Sequence, residues 1–115
     1  MLIGRALSAE AQVRYAHVDA VDAARVRIVV LPMLTPGIVA ITIGRYVLVK
    51  RGWEHSIALI GHELVHVEQW RRFGAVRFLV EYLGAYVRLR RTGLGHWDAY
   101  RAIPFEQEAR LRSGA

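Results

Sequence analysis

Two histidines four residues apart, with a glutamate directly after the first, stand in the run IALIGHELVHVEQW as His62, Glu63 and His66. On a helix, positions four apart lie one above the other on the same face. Both imidazoles can then reach a single tetrahedral Zn²⁺. Glu63 sits about a quarter-turn round the helix from His62, near an attacking water without being a ligand. Zinc lowers the pKa of such a water toward about 7, and the carboxylate takes its proton as the water attacks a carbonyl. The pattern predicts a zinc-dependent hydrolase.

Two histidines do not complete a zinc site, because a third protein ligand and an open position for water are also needed. No histidine lies between Val67 and Gly95, so an HExxHxxGxxH pattern fails, with Trp70 and Phe73 in the relevant stretch. His55 shares the helix face but lies seven residues before His62, roughly 10 Å along the axis and too far to share a metal. A carboxylate from another helix remains, and the segment PFEQEAR offers Glu106 and Glu108. Residues two apart on a helix differ by about 200°, so only one of them can face the motif helix. The apolar pair Phe105 and Ala109 leaves the two tied, each glutamate being about 60° from one and 100° from the other. Pro104 is a favourable first helical residue, and it puts Glu106 in the first turn, where the helix dipole helps keep a carboxylate ionised. Gln69, one turn after His66, either touches the rim of the site or faces solvent. Tyr100 and His96 could each donate to a developing oxyanion. Tyr100 is preferred, because its spacing to Glu106 keeps it beside the ligand helix.

These residues need elements to hold them. A helix is expected over Ala9–Ala20 from a loose 3.6 period. Arg25–Val30 alternates and then turns wholly apolar, which suits a strand. Pro32, Pro36 and Gly37 punctuate a loop. Ile38–Ile43 and Tyr46–Lys50 are β-branched runs about Gly44-Arg45, the signal of a type II′ hairpin, with a bulged single strand as the alternative. From about Glu54 the period becomes helical, with one stripe through Ile57, Ile60, Leu64 and Val67 and another through Leu59, His62, His66 and Gln69. Gly74 is the natural stop. A second helix over Ala75–Arg91 carries Val76, Leu79, Val80, Leu83, Tyr86 and Val87, and ends at Thr92-Gly93. A loop through Gly95-His96-Trp97 then leads to a short helix, Pro104–Arg112. Trp53, Trp70 and Trp97 are expected in or around the core. Strands first and helices afterwards argue for an α+β fold, a short twisted sheet packed on the HExxH helix.

GHELVHVEQW, followed later by YRAIPFEQEAR, resembles the gluzincin branch of zinc metallopeptidases, and most closely its short bacterial minimal domains. The likeness covers roughly residues 38–112, including ITIGRYVLV, which is similar to a hairpin preceding the motif helix in those domains. It implies a zincin-like fold and peptide-bond hydrolysis. It also implies a third ligand three residues before an alanine, which is Glu106 before Ala109. Arg110 stands where many relatives carry an acidic or amide residue that supports the first histidine, and Glu108 could take that part.

At 115 residues, with 54% apolar and 23% charged positions, the chain is expected to form one minimal zincin-like domain over 1–115 with an ordinary core. No cysteine is present, which excludes disulfides and thiolate ligands and fits a reducing compartment. The N-terminus lacks a signal-peptide-length apolar stretch, and no segment reaches the roughly 20 apolar residues of a membrane span. A soluble cytoplasmic protein acting on a peptide or protein substrate is expected. The net charge of +6 rests on fifteen arginines and Lys50. Arg71, Arg72, Arg88, Arg90 and Arg91 cluster where helices should end, which favours the macrodipole. That structural reading is preferred to a nucleic-acid surface, since no nucleic-acid motif accompanies the charge. Against the zinc reading stands a pair of metal-free core histidines. Two half-buried imidazoles and a carboxylate are costly unless paired or metal-bound. A catalytically inactive zinc-stabilised interaction module is the alternative function.

Overall fold

Val26 ends a helix and Arg27 begins the first strand, β1 (Arg27–Leu31), in a computed structural model that describes residues 3–114. Met1, Leu2 and Ala115, part of the unit expected over 1–115, lie outside the described residues. The chain crosses through the Pro32–Gly37 loop to the far side of the sheet for β2 (Ala40–Ile43) and returns as β3 (Tyr46–Lys50). The sheet order is β1-β3-β2, with β1 parallel to β3 and β2 antiparallel to it. Gly44 has φ of +63° and Arg45 a negative value, as a II′ turn requires. Ile43 opposes Tyr46 across the turn, so the bulged alternative is set aside.

The fold is α+β, with this mixed three-stranded sheet and six α-helices among the described residues. They are α1 (Ala9–Gln12), α2 (Ala20–Arg25), α3 (Ile57–Phe73), α4 (Ala75–Arg91), α5 (His96–Ala102) and α6 (Pro104–Ser113). The single helix expected over Ala9–Ala20 is instead α1, a 3₁₀ turn at Val13–Tyr15, and a break before α2. The break has a cause. The Asp19 amide donates to Glu68 Oε1 at 2.8 Å, while the Asp19 side chain accepts from Val21 N and starts a new helix. The expected loop through Gly95-His96-Trp97 is also corrected, because α5 begins at His96.

α3 starts one residue after Ser56, whose hydroxyl caps Leu59 N, and stops at Gly74 with φ of +80°. From Ile60 to Gln69 nearly every residue is buried, because the sheet, α2, α4 and α6 surround the helix. Leu64, Val65 and Val67 join Val26 and Val47 in the main core. Full burial of one such aliphatic side chain is worth about 1.5–3 kcal/mol. Gly61 lies in a close approach: a Cβ there would meet His17 Cε1 at a tight 3.2 Å, and His17 Nε2 bonds the Gly61 carbonyl oxygen at 2.8 Å.

A second cluster joins Phe78 and Ala85 of α4 to Ile103 and Phe105, with Trp70, Tyr82 and Leu89 against it. Of the α4 stripe counted from the sequence, Tyr86 packs against this cluster, while Val76, Leu79, Val80, Leu83 and Val87 are exposed. Trp70 packs on Phe78, whereas Trp53 and Trp97 are each 46% exposed, with Trp97 lying against His96 and Tyr100. No helix among the described residues is long and apolar enough to cross a membrane.

Candidate metal centre

His62, Glu63 and His66 project from the buried middle of α3, with ligand-type atoms all within 4.8 Å of one another. α6 brings Glu106 against both imidazoles. His62 Nε2 lies 3.0 Å from Glu106 Oε1, and His66 Nε2 lies 3.0 Å from Glu106 Oε2. Two imidazole nitrogens and the two oxygens of one carboxylate, donors of the type zinc prefers, therefore lie side by side. His66 Nε2 is buried and has no aligned hydrogen-bond partner despite that short distance. The Glu106 carboxylate offsets part of the cost of burying it unaligned, and a further partner is needed to satisfy it fully. A metal shared with Glu106 and His62 would do so, and the donor set fits one.

A layer of further side chains holds this group. Gln69, 1% exposed, accepts through Oε1 from His66 Nδ1 at 2.8 Å. Its amide nitrogen donates to Phe105 O and to Glu108 Oε1. Glu108 thus points away from the imidazoles and also accepts from Arg112 Nη1 at 3.2 Å. Arg110 donates to the Arg101 carbonyl oxygen, and its charge acts on the Tyr100 phenol in the lowering sense. The Tyr82 hydroxyl donates to Glu106 Oε2 at 2.6 Å, and its ring meets His66 edge-on. Thr42, on the inner face of β2, donates to Glu63 Oε1 at 3.1 Å and to the Glu63 carbonyl oxygen at 3.3 Å.

The electrostatics follow from burial and these contacts. Burial pushes the Glu63 carboxyl above its usual value, with Glu106 adding to the rise and both histidines and Thr42 opposing it. For Glu106 burial acts in the same sense, but the close imidazoles of His62 and His66 and the Tyr82 hydroxyl outweigh it. They hold Glu106 well below the usual carboxylate range. Burial alone would lower His66, yet Glu106 and Glu63 raise it to about 9 in the metal-free protein. The Tyr100 phenol is pushed well up by burial, by the charges of Glu106 and Glu63, and by a hydrogen bond with Glu106. It stays protonated and keeps a hydrogen to donate.

Of the residues picked from the sequence, His62, Glu63, His66, Glu106 and Tyr100 are brought together. His96 is not, since its Nδ1 meets the Tyr86 hydroxyl at 2.7 Å on the surface. Tyr82 and Thr42 went unnoticed in the sequence. The i, i+4 spacing of Phe78 and Tyr82 was the one signal for the first, and Thr42 had none beyond its seat in a strand. No family model matches the chain, and neither a curated protein nor a solved structure does.

Proposed function

We propose that this protein is a zincin-like metallopeptidase of the minimal gluzincin kind, holding zinc through His62, His66 and Glu106. The observation that carries the reading is the convergence of those three side chains beside a buried, upward-shifted Glu63. When bound, zinc would polarise the scissile carbonyl and make water more acidic. Glu63, steadied by Thr42, takes the proton of the attacking water and later returns it to the leaving amine. Its raised pKa makes it a stronger base than a surface glutamate. Tyr100, kept protonated, donates to the developing oxyanion. Tyr82 and Gln69 hold Glu106 and His66 in orientation.

β2 supports a peptide as substrate. Among the described residues no strand pairs with its outer edge, whereas β1 meets Arg5 on its outer side. The Lys50 amide donates to Val39 O and Ile43 opposes Tyr46, so Ala40 and Thr42 turn their main-chain groups outward. An extended peptide can add there as a strand.

The rival reading, a zinc-stabilised interaction module without activity, draws on one observation: Glu63, His66 and Glu106 are 5%, 4% and 2% exposed. Metal analysis followed by a peptide-library digest, with and without chelator, tests both. Glu63→Gln should keep its metal and lose about 10²–10⁴-fold in hydrolysis. A parent protein that binds zinc and cleaves nothing would favour the rival. Stoichiometric metal in the His62→Ala/His66→Ala variant would sink both.

A further inference from the structure

We infer that the outer face of α4 docks on an anionic phospholipid bilayer. At 100° per residue, Val76, Leu79, Val80, Leu83 and Val87 share a sector of roughly 100°. They are 77%, 42%, 67%, 56% and 47% exposed. Phe78, Tyr82, Ala85 and Leu89 fill the far side of the helix and pack into the protein, so no inward turn of α4 could hide the stripe. Single exposed aliphatics are ordinary, but a continuous row along one helix is a mark of an interaction surface.

The charge beside the row selects the partner. Arg77, Arg88 and Arg91 fall on one flank, and Arg90 lies at the C-terminal end of the row itself. The single acid of α4, Glu81, is taken by Arg77 at 2.9 Å. On the same flank a groove of about 290 Å³ runs between α4 and the start of α6, lined by Val80, Gly84, Ala85, Arg88, Pro104 and Phe105 together with the Arg77-paired Glu81. Nothing lies within 4 Å of a Cβ built on Gly84, so the groove is open at its middle. An apolar row with arginines at its border suits a helix lying in the plane of a membrane surface, its aliphatic side among acyl chains and its cations on lipid phosphates. A second copy is disfavoured by the same charges, because two such faces would bring the arginines of two +6 chains together. The helix has 17 residues with charges at both flanks and lies on the surface rather than across it.

The test is co-sedimentation of the full chain with vesicles of phosphatidylcholine, alone or mixed with phosphatidylglycerol, alongside sedimentation equilibrium without lipid. Binding should require phosphatidylglycerol and weaken with salt. Leu83→Glu and Val80→Glu, both on the exposed row and each checked for native circular dichroism, should reduce partitioning about tenfold or more. Arg88→Glu and Arg91→Glu should each reduce it about fivefold. Absence of binding to the mixed vesicles, equal binding to neutral ones, or binding indifferent to Leu83→Glu and Val80→Glu would overturn the inference. So would a stable dimer that Leu83→Glu dissociates, which would assign the face to a second copy.

Discussion

α3 and α4 are 17 residues each, meet at Gly74, and depart from the ordinary division of polar and apolar residues in opposite directions. α3 buries His66, Glu63, Glu68 and Gln69, whereas α4 displays five branched aliphatics. Each departure is tolerated for a different reason. The polar groups of α3 are partnered by other elements: Gln69 and Glu106 flank His66, and Glu68 takes Arg112 at 2.5 Å and the Asp19 amide. Nearby, Arg71 grips the fully buried Asp22 through three short contacts. The five aliphatics of α4 are each 42% exposed or more. One helix thus carries a buried polar cluster, and its neighbour packs one face and leaves the other exposed.

The largest effect should come from breaking the α3 site at its centre. Glu106→Gln is expected to weaken zinc affinity by orders of magnitude, because it removes a charged ligand candidate. Glu108→Gln and Gln69→Leu act only on the orientation of His66 and should weaken it about 10–100-fold. Competitive chelator titration ranks the three variants. If Glu108→Gln proved the most damaging, the site would be built on the other glutamate, and the contact of Glu106 with both imidazoles would be incidental.

An intermediate effect concerns the one side on which the α3 site meets an open edge. Ala40→Pro removes a single outward amide of β2 while leaving its ladder to β3 intact. For a cleaved peptide it should raise KM about fivefold, the worth of one main-chain hydrogen bond, with metal content unchanged. An unaltered KM would mean that substrate does not run along β2.

What could be read from the sequence divides along the same line. His62, Glu63 and His66 lie within one turn of a helix, and helical period and chemistry both act over that distance. Gly44 and Gly74 marked their turn and helix stop because each needs a positive φ that other residues resist. The hairpin, α4 and the start of α6 were legible for such local reasons. Tyr82, Thr42 and the bond from Gln69 to His66 were not, since each depends on which face of a distant element turns inward. α4 carries two rows of apolar residues, and nothing local says which one packs. The aromatic row won, because Phe78 and Tyr82 meet Trp70, Phe105 and His66 across the helix junctions. α5 was hidden by its seven-residue length and by a Gly-His-Trp opening that reads as a loop.

The smallest expected effect is also the one that most sharpens the contrast. Leu83 is 56% exposed on the α4 row, while Leu64 on α3 is fully buried in the main core. Leu64→Ala should destabilise the protein by about 2–5 kcal/mol, through lost transfer energy and the cavity left behind. Leu83→Gln keeps side-chain length and nearly the same helix propensity, so only the environment of the side chain is at issue. With water already around Leu83, the change should fall within about 0.5 kcal/mol by urea denaturation in the absence of lipid. A loss of about 2 kcal/mol or more would mean that Leu83 is covered in solution. α4 would then be a core helix like α3, and the row would not be a surface awaiting a membrane.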